Sequence, residues 1–547
     1  MEIETISKLE KEALKKSRTD FTRIGFALFF MIGVLTYTFL SNGGISNNMF
    51  LAVAALIGAY MAMNIGANDV ANNVGPAVGS KAMTMAMAIV VAAIFEASGA
   101  LIAGGEVVKT IKKGIIDIAA FGGNPDPFIW AMMAALLAAA LWLNFATAMK
   151  APVSTTHSIV GGVMGAGIAA AGFSIVSWMT MAKIAASWVI SPILGGIIAA
   201  AFLFAIKKTI VFKEDKIRAA KQYVPIYVAI MSWAFVTYLV LKGLKKIWPQ
   251  VVEILNHIPL VSMEITKKPS FLTALIIGAI IGLIVYFLLK MKLAKEQEMK
   301  NSKEAVNILF TIPLIFAAAL LSFAHGANDV ANAIGPLAAI NDAVVNGGIS
   351  TKASIPLWVM GVGAFGIALG LALYGPKLIK TVGSEITELD QIRAFSIAMA
   401  ASITVIIASQ LGLPVSSTHI AIGGVFGVGF LREWLKLTET TTTIEEDEEL
   451  IQDEKHTLNK YKSELKKLTS KEEKDVQDYK KIVELYANIE AEEKLIKSAK
   501  KHIKRVKKVE YVKRDAVKKI IAAWLITVPA AAVLAALLFF TIRGIML

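Results

Sequence analysis

The sequence contains no cysteine and comparatively little charge. The absence of cysteine from all 547 residues excludes disulfides, thiolate nucleophiles and cysteine-based metal sites. Only 18% of the residues are charged, whereas a soluble domain has about 25%, and 56% are hydrophobic. Residues 1–20 lack the apolar core of a cleaved signal peptide, so we expect the first apolar run to stay in the protein. This balance disfavours a soluble enzyme and favours a protein that crosses a membrane repeatedly.

Long apolar runs recur along the whole chain. A helix needs about 20 such residues to cross the hydrocarbon core of a bilayer, where it satisfies its own backbone hydrogen bonds. The sequence therefore predicts an all-α polytopic membrane protein with about 12–13 transmembrane spans. The runs lie near residues 21–40, 48–64, 83–105, 127–149, 157–173, 178–206, 224–243, 271–291, 306–324, 355–375, 393–411, 418–431 and 518–542.

The formal net charge of +14 would suggest nucleic-acid binding in a soluble protein. Here lysine and arginine gather in separate segments between apolar runs, as expected when short cytoplasmic loops carry the excess. We therefore expect a multi-pass plasma-membrane protein, with the lipid bilayer and not nucleic acid as its partner. Its N-terminus and residues 432–517 are predicted to be cytoplasmic and its C-terminus outside, although the basic stretch 242–268 disagrees with this count. The agreeing segments are 8–23, 207–221, 290–303 and 432–519.

Residues 432–517 differ from the rest of the chain because about half of them are charged, with both signs mixed. Apolar residues recur there at spacings of three and four, which is typical of amphipathic helices. We predict a cytoplasmic helical hairpin inserted before the last span. It is interpreted as a charged spacer, and a regulatory or partner-binding module is the alternative. The apolar positions include Leu458, Tyr461, Leu465 and Leu468.

Two motifs each occur twice, and a weaker third pair follows them. By the span count, the first unit enters the membrane from outside and the second from inside. The sequence thus predicts two inverted-topology repeats with re-entrant or broken helices, a transporter architecture whose substrate lies near the membrane midplane. The pairs are GANDVANNVGPAVGS (66–80) with GANDVANAIGPLAAI (326–340), PVSTTHSIVGGVMGAG (152–167) with PVSSTHIAIGGVFGVG (414–429), and SWVISPILGG (187–196) with AWLITVPAAA (523–532).

These repeats divide the chain into six predicted segments. They are an N-terminal region with an extra span (1–47), repeat 1 (48–212), a linker with two spans (213–305), the first part of repeat 2 (306–431), the charged hairpin (432–517) and the last span of repeat 2 (518–547).

The GANDVAN motif places an aspartate at membrane depth in each copy. An ionised carboxylate there costs several kcal/mol unless it is paired, and the motif contains no lysine or arginine. A cation such as Na⁺, or a proton, is the simplest partner for Asp69 and Asp329. The neighbouring amides lie on one helical face and offer oxygens to a cation and N–H groups to an anion. Alternatively, they only hold helices together. These amides are Asn68, Asn72, Asn328 and Asn332.

The PVSTTH motif predicts an anion site. Its proline ends one segment, and its first serine caps a helix whose free N–H groups and positive dipole end attract anions. Since neither motif contains an arginine, a tetrahedral dianion that binds beside two aspartates requires co-bound cations. Anion binding then depends on cation binding, which is the thermodynamic basis of symport. The hydroxyls are those of Ser154, Thr155, Thr156, Ser416, Ser417 and Thr418.

Four further polar residues lie in apolar segments. Glu96 is in mid-span, where an acid suggests function, so we predict a cation or proton role, with a protonated, hydrogen-bonded glutamate as the alternative. His325 precedes only the second GANDVAN, and a proton-coupling role for it stays open. His157 and His419 follow the hydroxyls, but no acid at suitable spacing orients them. We therefore predict packed histidines, no enzyme, and no cofactor beyond co-transported Na⁺.

These paired motifs resemble those of the inorganic phosphate transporter (PiT) family of sodium- or proton-coupled permeases. The resemblance covers about 48–212 and 306–542 and implies phosphate uptake, an inverted-repeat fold and a homodimer. One departure is Ala398, which stands where animal-type members have a glutamate. The implied phosphate-binding residues are Asn68, Asn72, Ser154, Thr155, Thr156, Asn328, Asn332, Ser416, Ser417 and Thr418. The implied residues for Na⁺ coupling are Asp69, Asp329, Glu96, Asn68, Asn328, Thr155 and Ser417, with the Na⁺ ions at Asp69 and Asp329.

The predicted function is symport that imports inorganic phosphate with Na⁺. Within the same family, the alternatives are H⁺-coupled transport of phosphate or metal-phosphate, and sulfate transport. From a different class, a phosphate-sensing receptor or scaffold would signal through residues 432–517. A receptor or scaffold would produce no net flux, so accumulation of phosphate against its gradient would exclude that alternative.

Overall fold

The computed structural model describes residues 2–43, 48–149, 153–245, 247–257, 264–295, 299–348, 355–385, 389–471, 475–507, 511–512 and 514–547. Within these ranges the chain is helical apart from loops and one β-bridge between Ile116 and Val176. The α-helices are α1 (Glu2–Ser41), α2 (Asn48–Asn68), α3 (Val70–Gly79), α4 (Met85–Ala103), α5 (Gly105–Lys113), α6 (Pro125–Ala148), α7 (Thr155–Ala171), α8 (Trp178–Ile206), α9 (Lys216–Tyr238), α10 (Trp248–Leu255), α11 (Phe271–Ala294), α12 (Lys303–Leu309), α13 (Thr311–Val345), α14 (Leu357–Glu385), α15 (Gln391–Gln410), α16 (Ser417–Thr469), α17 (Val476–Lys507) and α18 (Arg514–Met546).

Eleven helical segments within the described residues are long and apolar enough to cross a membrane, which confirms the all-α polytopic class. The predicted spans 157–173 and 418–431 are not among them. The first corresponds to α7, which has 17 residues, and the second is the start of α16. The predicted inversion of the repeats requires α7 to count as a crossing, so the inversion stays a prediction. The side of the membrane on which each terminus lies stays a prediction as well.

The two GANDVAN motifs lie within long helices. In the first copy, α2 and α3 are separated only by Asp69, whose backbone keeps helical angles (φ −87°, ψ −33°), and in the second copy α13 is unbroken. The motif therefore interrupts the helix only slightly in the first copy and does not interrupt it in the second. The reason is energetic: a glycine costs a helix about 1 kcal/mol, whereas each unpaired backbone group inside a membrane costs several.

The glycines of this motif serve close packing between the two halves. A Cβ atom at Gly66 would overlap the backbone carbonyl of Ile367 on α14, and one at Gly326 would overlap that of Glu96 on α4. Accordingly, α2 packs on α14 and α13 packs on α4. These contacts join equivalent positions of the duplication, so each half completes the packing of the other.

The helices that follow the hydroxyl motifs likewise pack against helices of the other half. A Cβ atom at Gly165 on α7 would overlap the carbonyl of Ala532 on α18, and one at Gly427 on α16 would overlap that of Gly196 on α8. Helix α7 also packs on α6, while α8 packs on α15. We call α6, α7 and α18 the first helix set, and α8, α15 and the start of α16 the second helix set.

Residues 429–513 form a compact unit of their own. Within it, the later part of α16 and α17 pack through an apolar cluster, and Lys462 forms an ion pair with Glu493 at 2.7 Å. The unit is thus a helical hairpin. Its cluster consists of Ile451, Leu458, Ile496, Ala499 and Ile503.

A buried ion pair fixes the short helix α5 against α13. Lys112 Nζ lies 3.0 Å from Asp342 Oδ2, and their side chains are only 8% and 3% exposed. We expect Lys112→Met to lower the free energy of unfolding by about 3–5 kcal/mol, because it leaves a buried carboxylate without its partner. Denaturation of the purified protein in detergent measures this loss. A double variant, Lys112→Met with Asp342→Leu, should recover most of it, and equal instability of both variants would contradict the assignment.

Candidate functional site

The two aspartates of the GANDVAN motifs lie beside the hydroxyl motifs of their own halves. Thr155 Oγ1 donates to Asp69 Oδ2 at 2.6 Å, and at the equivalent positions Ser417 Oγ donates to Asp329 Oδ2 at 3.0 Å. All four side chains are buried. The duplicated motifs therefore build two related carboxylate–hydroxyl pairs in the interior of the protein.

The motif asparagines connect the two halves. Asn72 donates its amide to Thr418 Oγ1 at 2.9 Å, and the equivalent Asn332 donates to Thr156 Oγ1 at 3.1 Å and to Thr155 Oγ1 at 3.2 Å. Thr418 Oγ1 also donates to Asp69 Oδ1 at 3.3 Å. The structure thus brings the predicted residues of both halves into one site.

Two helix N-termini begin at this site. Ser154 Oγ accepts from the backbone N–H of His157 at 3.1 Å, and Ser416 Oγ accepts from that of His419 at 3.3 Å, so both serines cap as predicted. Pro152, which is predicted to end the segment before the first of these helices, lies outside the described residues. Each cap satisfies one of the free N–H groups of its helix start, and the remaining ones, with the helix dipole, favour an anion.

Asn68 and Asn328 orient their amide groups away from these hydroxyls. The Asn68 amide donates to Thr147 Oγ1 at 2.7 Å, and the Asn328 amide donates to Ser409 Oγ at 2.9 Å. This arrangement leaves their carbonyl oxygens without a hydrogen-bond partner among the described residues, and the predicted part of Asn68 and Asn328 in phosphate binding stays a prediction.

Several oxygens at the site have no hydrogen-bond partner among the described residues. An unpaired buried acceptor costs about 1–3 kcal/mol, and a bound cation would remove that cost. Oxygen donors of this kind suit a hard cation. The orphaned atoms are Asn68 Oδ1, Asn328 Oδ1, Asn332 Oδ1 and Asp329 Oδ1.

A chain of three polar side chains extends the site on one side only. Asn73 donates to Glu96 Oε1 at 2.7 Å, Glu96 Oε2 lies 2.6 Å from His325 Nδ1, and His325 Nε2 lies 2.7 Å from Asp329 Oδ2. Glu96 and His325 were predicted from the sequence as functional residues, but their contact was not, and Asn73 was not predicted at all. The signal was available, because all three positions are apolar in the other copy. Those apolar counterparts are Ala333, Ile367 and Ile65.

The charges of the site do not balance. Three buried carboxyl groups face one imidazole, and His325 is the only basic side chain within ion-pair distance of them among the described residues. The ligating atoms of Asp69, His325 and Asp329 all lie within 4.8 Å of one another, which is close enough to hold a metal ion. A mobile cation is the simplest way to neutralise this cluster.

The two histidines that follow the hydroxyls do not form a catalytic pair. His157 lies against Trp188 and His419, with ring centroids 3.8 and 4.5 Å away, and His419 stacks on Trp524 at 3.6 Å. No carboxylate in the described part of the chain hydrogen-bonds to either imidazole. Nothing therefore orients them as general bases, in agreement with the expectation of packed histidines.

Comparison with known proteins gives consistent similarities. The model of the family described as "Phosphate transporter family" matches residues 65–535. A Helicobacter pylori protein described as "Putative phosphate permease" is 50% identical over 552 residues, which cover 98% of both chains. A Pyrococcus abyssi protein with the same description is 38% identical over 383 residues, covering 70% of this chain and 89% of the relative.

A solved structure, described as "The sodium-dependent phosphate transporter", is similar to this fold with a TM-score of 0.68. The two sequences are 29% identical, and the match covers 91% of this chain and 99% of the other.

Proposed function

The chain belongs to the phosphate transporter family, and on that basis we propose that it imports inorganic phosphate by symport with Na⁺. Transport of phosphate across a membrane, not enzymatic turnover, is the family's function. We further propose that Na⁺ drives the import of phosphate, that the protein lies in the plasma membrane and that it assembles as a homodimer.

The observation that carries the proposal is the pairing of two capped helix starts with two buried aspartates. The helix starts and hydroxyls suit the oxygens of a tetrahedral anion, but the carboxylates repel it. Phosphate and cation therefore bind favourably only together. Such a favourable, negative coupling free energy between two ligands is what symport requires.

The orphaned oxygens favour Na⁺ over a proton. A proton neutralises a carboxylate, but it leaves the amide carbonyls of Asn68, Asn328 and Asn332 without a partner. A metal cation coordinates carboxylate and amide oxygens at once. The similarity to a protein described as sodium-dependent supports the same choice.

Uptake of labelled phosphate into proteoliposomes tests this proposal, with the Na⁺ gradient and the pH gradient varied independently. We expect an inward Na⁺ gradient to drive accumulation at equal pH on both sides. Accumulation that follows only the pH gradient would replace Na⁺ by H⁺ as the driving ion. Competition by excess sulfate should be weak, and equal competition by sulfate and unlabelled phosphate would contradict phosphate selectivity.

A further inference from the structure

Four aromatic rings form a continuous column directly behind the hydroxyl motifs. The rings follow in the order Trp188, His157, His419, Trp524, with centroid distances of 3.8, 4.5 and 3.6 Å. The two histidines are buried, with 4% and 1% of their surface exposed. His157 and His419 are the residues next to Thr156 and Thr418, so the column adjoins the place where both hydroxyl motifs meet.

Every contact in this column crosses between the two helix sets. His157 lies on α7 of the first set, and the Trp188 ring that covers it comes from α8 of the second set. His419 lies on α16 of the second set, and the Trp524 ring that covers it comes from α18 of the first set. Trp188 is also held by the loop between α15 and α16 of its own set, because its Nε1 donates to the carbonyl of Pro414 at 3.1 Å.

Packing within the sets is of a different kind. There, glycines bring backbone against backbone, as between Gly165 and Ala532 or between Gly427 and Gly196, so a shift of one helix would create overlap or a void. Between the sets, side-chain rings meet at interplanar angles of 49°, 84° and 28°, and rings can separate without breaking interlocked backbones. The two sets thus meet at the ring column, where their contact differs in kind from the packing inside each set.

We propose that Trp188, His157, His419 and Trp524 form a gate that closes one end of the phosphate site and opens when the two helix sets separate. The gate rests on the proposed transport function, since alternating access requires one body to move against another around the site. The four ring positions are equivalent in pairs, so the gate lies where the two halves of the duplication meet.

The absence of native cysteine makes a direct test practical. In the double variant His157→Cys/His419→Cys, cross-linking with an oxidant or a short bifunctional thiol reagent should abolish phosphate uptake, and cleavage of the link by a reductant should restore it. The single variants His157→Cys and His419→Cys, treated in the same way, cannot form an intramolecular link, so a loss of uptake that occurs in the double variant and not in them reports the link itself. Uptake that continues unchanged in the cross-linked protein, with the link verified by mass spectrometry, overturns the gate.

If the double variant does not fold, a second measurement on a single variant tests the gate. The single thiol of His157→Cys should react with a membrane-impermeant thiol reagent, at a rate that changes when Na⁺ and phosphate are supplied. A matched control is Ala131→Cys, which is fully buried within the first set and should stay unlabelled. A His157→Cys thiol that stays unlabelled under all conditions also contradicts the gate. Failure of the unmodified protein to transport phosphate would instead overturn the proposed function.

Discussion

Asp69→Asn is expected to abolish Na⁺-driven phosphate uptake while the protein still folds. The substitution keeps the shape of the side chain and an oxygen that can accept from Thr155, but it removes the charge. A unit charge about 4 Å from a cation is worth about 4 kcal/mol at an effective dielectric constant of about 20, which corresponds to about a thousandfold in affinity. Uptake into proteoliposomes across a range of Na⁺ concentrations measures the effect.

Asp329→Asn should also impair uptake, but with a smaller change in Na⁺ affinity. His325 lies 2.7 Å from Asp329 and 3.9 Å from Asp69, so Asp329 already has a neighbouring basic group. Asp126→Asn is a suitable control, since this aspartate lies in the first turn of α6 outside the site and its loss should leave uptake unchanged. Full Na⁺-driven uptake by both site variants would disprove the cation assignment.

Replacing His325 alone is expected to lower the stability of the protein more than replacing all three residues of the polar chain to which it belongs. His325→Ile leaves Glu96 and Asp329 buried without their shared partner, and breaking a buried pair in this way costs about 3–5 kcal/mol. The triple variant Asn73→Ala/Glu96→Ile/His325→Ile instead reproduces the residues of the other half, where the corresponding positions pack as an apolar core. We expect it to recover most of the lost stability.

The triple variant also tests what the polar chain contributes to coupling. With His325 absent, Asp69 and Asp329 both depend on a mobile cation, so the Na⁺ dependence of uptake should become steeper. Thermal denaturation and Na⁺ titration of phosphate uptake measure the two effects. A triple variant as unstable as His325→Ile, or one with the Na⁺ dependence of the unmodified protein, would contradict this role of the chain.

Much of the fold and most of the site residues were predictable because their signals are local in sequence. Apolar runs of membrane-spanning length identify the spans, and an aspartate in such a run needs a partner wherever the chain folds. The duplication then added a second copy of each signal. It predicted that both motifs belong to one site, although Asn72 and Thr418, which form a hydrogen bond there, are 346 positions apart.

The remaining features depend on which helices pack against each other. The chain from Asn73 to His325 needs α3, α4 and α13 to meet, and no spacing along the sequence encodes that meeting. Similarly, the need for glycine at position 326 becomes visible only when α13 and α4 meet, because a Cβ atom there would overlap the backbone of Glu96. The contact between the rings of Trp188 and His157 has the same origin, since two different helix sets supply the rings.

Coupling between phosphate and Na⁺ is tested most directly in the reverse sense, by the uptake of labelled Na⁺ into proteoliposomes under an inward phosphate gradient. Because coupling free energies are reciprocal, phosphate should drive Na⁺ accumulation if Na⁺ drives phosphate accumulation. We predict phosphate-dependent Na⁺ uptake by the unmodified protein and its loss in Asp69→Asn. Na⁺ movement that is the same with and without phosphate would contradict the central claim that both ions share one buried site.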